Sequence, residues 1–158
     1  MVFKSAYDLD GVLAVQPPKR EKTWGKMKGP ERKAHLEWLV RWYKDAPPIH
    51  KPREAAFLVI TARKDNPEVR QATEDWLRRT FPSRVYKLFM LQESRSIKNV
   101  LRFKSRILME HNIEDYVEDN REVVKGLRPL VPWCRIWHFK NGKMILDYQP
   151  TLRIHQKP

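Results

Sequence analysis

Cysteine is nearly absent from this chain of 158 residues, which contains only Cys134. A single thiol cannot form an internal disulfide and cannot alone build a thiolate zinc site, so a disulfide scaffold and a zinc module are excluded. The apolar runs are only a few residues long, far below the ~20 residues of a membrane-spanning helix. We therefore expect a soluble protein without a membrane partner, in a reducing, cytoplasmic compartment.

Acidic residues are also scarce, with 19 Asp and Glu against 32 Lys and Arg, which gives a net charge of +13. Such a surplus leaves strongly positive surface and favours a polyanionic partner, although a solvated basic coat is the alternative. The hydrophobic content of 41% is enough for a core, and it excludes a disordered chain. We expect one domain over residues 1–158.

No Gly-x-x-x-x-Gly-Lys-Ser/Thr loop occurs in the sequence, so a kinase activity on this chain has no phosphate cradle. The five histidines show no ligand spacing, and we interpret them as structural or surface residues. Internal repeats are missing too. Repeat architectures are therefore excluded, and the pattern of single elements must define the fold.

The apolar pattern alternates between strand-like and helix-like segments, which indicates an α/β protein. The run at 55–60 is continuously apolar and predicts a strand buried on both faces of a mostly parallel sheet. Further strands are expected at 2–9, 86–91, 115–119, 134–139 and 144–148. Helices are expected after Asn66-Pro67, over 96–111 and over 121–127, and Asn141-Gly142 predicts a hairpin turn.

Residues 15–54 differ in composition from the rest of the chain. Their first half is rich in Lys and Arg, and their second half carries a helical apolar stripe that begins after Pro30. We predict a small basic cap inserted at the carboxyl end of the first strand, where the ligand crevice of an open α/β sheet lies. Lys19, Arg20 and Trp24 of this cap are candidates for binding a nucleic-acid strand and stacking a base, with a place in the core as the alternative for Trp24.

Two carboxylates, Asp8 and Asp10, follow the first predicted strand and precede Gly11. Both can face one pocket, where one carboxylate attacks an electrophile while the other transfers a proton. Two acids at a strand end can equally form a turn or a cap. Later parts of the chain decide between these interpretations.

Three later features fit phosphoryl chemistry. Thr61 follows the second predicted strand and, with Arg63, can bind phosphoryl oxygens. Lys104, in the middle of a predicted helix, can neutralise a carboxylate together with a phosphate. Glu118 and Asp119 end a short apolar strand, and such hard oxygen ligands suit Mg²⁺.

This order of motifs, over about residues 3–140, resembles the haloacid dehalogenase-like phosphatase superfamily, with Asp-Leu-Asp-Gly-Val-Leu-Ala at residues 8–14 as the most specific piece. The resemblance implies a three-layer, Rossmann-like fold. It also implies that Asp8 is the nucleophile that becomes an aspartyl-phosphate and Asp10 the general acid/base. Thr61 would bind the phosphoryl group, and Lys104 would hold the nucleophile and the phosphate.

The same resemblance implies a Mg²⁺ cofactor held by Asp8, Asp119 and Asp10, the last through its backbone carbonyl. Glu118 stands where the family usually has a second aspartate, so it contacts either the metal or the metal's waters. Within the superfamily the chain is most similar to the 3′-phosphatase domain of bacteriophage polynucleotide kinase. The similarity lies in residues 61–63, in the spacing from Lys104 to Asp119, and in Trp137.

The resemblance and the charge together predict a Mg²⁺-dependent phosphohydrolase that removes 3′-phosphates from nucleic-acid ends in end repair. Its partners would be nucleic acid with a terminal phosphate and a separate kinase or ligase. One alternative is a 5′(3′)-nucleotidase that acts on mononucleotides. A second alternative is a non-catalytic nucleic-acid-binding protein on the same scaffold.

Overall fold

The structure is a computed structural model that describes residues 2–19 and 26–150. Arg20 and Trp24, both predicted to contact substrate, lie outside the described residues. The strands are β1 (Ser5–Tyr7), β2 (Ala56–Lys64), β3 (Val85–Leu91), β4 (Asp115–Glu118), β5 (Arg135–Lys140) and β6 (Lys143–Tyr148). The helices of the described ranges are α1 (Pro30–Asp45), α2 (Pro67–Thr80), α3 (Ile97–Glu110) and α4 (Arg121–Leu127).

The strands form one six-stranded sheet in the order β3-β2-β1-β4-β5-β6. Strands β1 to β5 are parallel, and only β6 runs antiparallel, as the outer strand of a hairpin with β5. The predicted mixed α/β fold with a mostly parallel sheet is therefore confirmed. The chain winds in opposite directions from β1 and β4, and ligands of such sheets bind at the carboxyl ends of the two strands at this switch point.

Alternate residues of the buried strands face opposite sides of the sheet, because side chains along a strand have a period of two. Phe57 and Val59 pack in one apolar cluster with Trp76 of α2. Leu58 and Ile60 belong to a second cluster with the apolar residues of α3 and α4. The sheet is thus the middle of three layers.

The helices begin where their capping residues predict. The side chain of Asn66 accepts a hydrogen bond from the backbone N–H of Val69, and Ser96 caps α3 in the same way. Helix α1 packs against α2 and provides the crossover that parallel neighbours β1 and β2 require. None of the helices in the described part of the chain combines the length and apolar character of a bilayer span. A cap formed by residues 15–54 stays a prediction.

Strands β1 and β2 differ from expectation by more than one residue. Strand β1 covers Ser5–Tyr7 instead of 2–9, because the chain turns at Leu9, whose carbonyl accepts from the N–H groups of the next turn. The prediction that Thr61 follows the second strand is wrong. Strand β2 continues to Lys64 through an irregularity in its pairing with β3, so both Thr61 and Arg63 lie within the strand.

Candidate active site

A buried lysine joins the carboxyl ends of the two switch-point strands. Lys104 of α3 donates from Nζ to Oδ1 of Asp8, over 2.9 Å, and to Oε2 of Glu118, over 2.6 Å. Asp8 follows β1, Glu118 ends β4, and all three residues are buried, with Lys104 only 1% exposed. The structure therefore brings together Lys104 and Asp8, which the sequence separates by 96 positions, and places Glu118 beside both.

The two carboxylates beside Lys104 differ in their surroundings. Burial favours the neutral form of Glu118, but the Lys104 ammonium outweighs it and holds the pKa of Glu118 below its usual value. Glu118 also accepts hydrogen bonds from the hydroxyl of Tyr116 and from the backbone N–H of Asn120. Burial and the charge of Glu118 raise the pKa of Asp8 well above its usual value. A cation bound at Asp8 would favour its ionised form.

Asp119 completes an acidic cluster with Asp8 and Glu118. One carboxylate oxygen of each residue lies within 4.8 Å of the others. Burial and the neighbouring Glu118 raise the pKa of Asp119 to about 7, and its Oδ2 accepts a hydrogen bond from Nε2 of Gln16. Carboxylate oxygens are the ligands that hard divalent cations prefer, so the residues present fit a metal ion.

Arg63 holds the carboxylate of Asp10 through two hydrogen bonds. The bonds run from Nε to Oδ2, over 2.9 Å, and from Nη2 to Oδ1, over 2.7 Å. Nη1 of Arg63 donates to the hydroxyl of Thr73, and the guanidinium carbon lies 3.6 Å from the centre of the Tyr43 ring. Arg63 is 3% exposed and lies behind Asp10 instead of in the open cavity. The Asp10 carboxylate lies outside the cluster of three carboxylates, and the metal ligand predicted at this position is the backbone carbonyl.

The site opens into a cavity of about 350 Å³ at the carboxyl edge of the sheet. Its walls include residues that directly follow β1, residues of β2 and β4, and residues of α3 and of the first turn of α4. Among them are Asp8, Asp10, Gln16, Thr61, Arg95, Ser96, Lys104, Glu118, Asp119 and Asn120. Lys19 is exposed and is not part of the cavity wall. Of the two β2 residues predicted to bind substrate, Thr61 faces the cavity, whereas Arg63 is not among the residues of its wall.

Four residues of the site were missed in the sequence. Tyr116 looks like an ordinary apolar strand residue, and only the fold shows that its hydroxyl donates to Glu118. Gln16 meets Asp119 across 103 positions of sequence. Arg95 is one of many basic residues, and no sequence signal distinguishes it. Asn120 could have been found, because a short polar residue before a helix is a common cap.

Gly11 allows the loop after β1 to lie directly against Asp119. Its φ is +85°, and a Cβ at this position would overlap the Asp119 carboxylate. We expect Gly11→Ala to displace Asp119, to strain the backbone by about 1–2 kcal/mol, and to lower metal-dependent activity about 10²-fold. Metal titrations of turnover would measure the loss.

Gly142 provides the matched control for Gly11. It also has positive φ, at +72°, but a Cβ there meets nothing within 4 Å. Gly142→Ala should therefore carry a similar backbone strain while keeping wild-type activity. Equal activities of the two variants would contradict the role assigned to Gly11.

The fold and the site thus define an α/β protein with a buried acidic cluster at the switch point of its sheet. No protein-family model and no curated protein matches the sequence. A chain in the solved structure of the Pnkp1/Rnl/Hen1 RNA repair complex is similar, with a TM-score of 0.51 and 15% identity. The alignment covers 87% of this chain and 42% of that chain, so this protein spans less than half of its neighbour's length. At this identity the likeness shows a related fold only.

Proposed function

We propose that this protein is a Mg²⁺-dependent phosphohydrolase of the haloacid dehalogenase-like superfamily that removes 3′-phosphates from nucleic-acid ends. The observation that carries the proposal is the buried Lys104, hydrogen-bonded to both Asp8 and Glu118 beside Asp119. An ammonium held beside three carboxylates can stabilise the negative charge of a phosphoryl group during its transfer.

In the first step Asp8 attacks the terminal phosphorus. Its Oδ1 accepts from Lys104, while Oδ2 accepts no hydrogen bond from the described residues and is the oxygen that attacks. The new bond joins Asp8 Oδ2 to phosphorus as the bond from phosphorus to the 3′ oxygen breaks. Protonated Asp10 gives its proton to that leaving oxygen, so an aspartyl-phosphate and a 3′-hydroxyl end result.

In the second step Asp10 acts as the base. It takes a proton from a water that attacks the phosphorus, and the bond from phosphorus to Asp8 Oδ2 breaks. Inorganic phosphate leaves, Asp8 is regenerated as a carboxylate, and Asp10 is again protonated. The two hydrogen bonds from Arg63 keep Asp10 oriented through both steps.

Asp8, Glu118 and Asp119 would hold the Mg²⁺, with Glu118 either as a ligand or through water. A bound Mg²⁺ supplies positive charge that offsets the charge of the phosphoryl oxygens. Lys104 adds a second positive charge from the floor of the cavity, and the Thr61 hydroxyl faces the same space. Lys104, Thr61 and the metal ligands thus bind charged groups, whereas Asp8 forms the bond to phosphorus and Asp10 transfers the proton.

Nucleic acid is the favoured substrate for two reasons. The net charge of +13 favours binding to a partner with many phosphates, because each neutralised phosphate releases counterions. The structural neighbour belongs to an RNA repair complex, and by analogy a separate kinase or ligase would act with this protein. Lys19, Arg20 and Trp24 remain proposed contacts of the strand.

A phosphate-release panel tests the proposal. We expect Mg²⁺-dependent release from 3′-phosphorylated oligonucleotides, loss of release in EDTA, slower release from 5′-phosphorylated oligonucleotides, and a steep fall with salt. Faster, salt-insensitive release from mononucleotides would support the nucleotidase instead. No release from any phosphate ester, in protein that melts cooperatively, would refute an enzymatic function.

A further inference from the structure

Arg95 is a charged residue at the mouth of the cavity. It directly precedes Ser96, the cap of α3, and both residues belong to the cavity wall. Arg95 is exposed, whereas Lys104 of α3 is buried at the floor. Eight residues of helix separate Ser96 from Lys104, which corresponds to ~12 Å along the axis. The two cations therefore lie at different depths of the same cavity.

The other cations near the reaction centre are already paired. Lys104 is bound to Asp8 and Glu118, and Arg63 is bound to Asp10. Arg95 forms no hydrogen bond or ion pair with any residue in the ranges 2–19 and 26–150. Within those ranges it is the cavity-wall cation left to bind a ligand.

Arg95 lines the same cavity as Asp10, the proposed proton donor. Arg63 holds the Asp10 carboxylate in this cavity, and its guanidinium stacks on the Tyr43 ring. With Asp10 as proton donor to the leaving oxygen, the nucleotide that carries this oxygen extends from Asp10 through the open end of the cavity, where Arg95 is exposed.

We propose that Arg95 binds the phosphodiester next to the terminal 3′-phosphate and thereby makes a strand a better substrate than a mononucleotide. The inference rests on the proposed function. A mononucleotide places its single phosphate at Asp8 and has no second anion for Arg95. A strand offers one at the mouth of the cavity, where a guanidinium forms charge-assisted hydrogen bonds to phosphate oxygens.

Arg95→Ala tests this assignment. We expect KM for a 3′-phosphorylated oligonucleotide to rise about tenfold with kcat nearly unchanged, and the salt slope of kcat/KM to fall by about 0.7. Hydrolysis of a 3′-mononucleotide should change less than about twofold, because no contact to it is removed. The control is Arg106→Ala, which removes the same charge from an exposed position on α3, outside this cavity.

A binding measurement separates this inference from the proposed function. Fluorescence anisotropy with a 3′-phosphorylated oligonucleotide, in the Asp8→Asn background, should show weaker binding for Arg95→Ala than for Arg106→Ala whether or not turnover occurs. Equal weakening by both variants would overturn the inference, as would an equal loss of kcat/KM on oligonucleotide and mononucleotide, which would place Arg95 on the terminal phosphate. A wild-type protein that releases no phosphate but binds through Arg95 would refute the proposed function alone.

Discussion

Asp8→Asn is expected to lower phosphate release on the order of 10⁴-fold or more while leaving the fold intact. A carboxamide is a poor nucleophile, so the aspartyl-phosphate cannot form. The amide oxygen introduced by the substitution can still accept the hydrogen bond from Lys104, so the buried ammonium keeps two partners, this oxygen and Glu118. The measurement is single-turnover release from a 3′-phosphorylated oligonucleotide, together with thermal melting to verify folding.

Asp75→Asn is the matched control for Asp8→Asn. It makes the same chemical change on α2, at a partly exposed position that pairs only with neighbouring surface residues. The control should retain wild-type activity. Release by Asp8→Asn within tenfold of wild type would eliminate Asp8 as the nucleophile and leave the acidic cluster with a purely metal-binding role.

Lys104→Met is expected to abolish turnover and to lower the free energy of unfolding by about 3–5 kcal/mol. The substitution keeps the length of the side chain but removes the charge from a residue that is 1% exposed. Asp8 and Glu118 then remain buried without their shared partner, which costs much more than the loss of an exposed ion pair. Urea unfolding in the presence of EDTA measures the effect free of any contribution from bound metal.

A second substitution tests the reason for this loss. In Lys104→Met with Glu118→Gln, one of the uncompensated carboxylates is removed, so part of the stability should return while activity stays absent. Lys98→Met, at an exposed position of the same helix, serves as the control and should change stability by less than about 0.5 kcal/mol. Stability of Lys104→Met within about 1 kcal/mol of wild type would contradict the electrostatic role of Lys104.

Helix starts and the hairpin turn could be predicted from the sequence, because capping and turn residues act on backbone groups only a few residues away. Asn66-Pro67 starts α2, Ser96 caps α3, and Asn141-Gly142 forms the turn between β5 and β6, as expected. The end of β2 could not be predicted in this way. Residues 61–64 are polar enough to suggest a loop, and only the pairing with β3 and the burial of Arg63 extend the strand through them.

The residues of the candidate site could be predicted better than the contacts between them. Asp8, Lys104 and Asp119 could be selected from residue type and order along the chain, and the structure places them around one cavity. That Arg63 meets Asp10 depends on the approach of two strands, because a guanidinium satisfies a carboxylate or a phosphate equally well. The link from Gln16 to Asp119 likewise exists only in the folded chain.

The network beneath Asp10 has a consequence for how the protein tolerates change. Thr73 of α2 donates its own proton to the carbonyl of Val69 and so offers a lone pair to Arg63, while Tyr43 of α1 covers the guanidinium from another side. Neither helix contributes a residue to the cavity wall. The packing of α1 and α2, which do not line the cavity, therefore sets the orientation of Asp10, the proposed proton donor. Substitutions where these two helices meet Arg63 are constrained, because they would change that orientation.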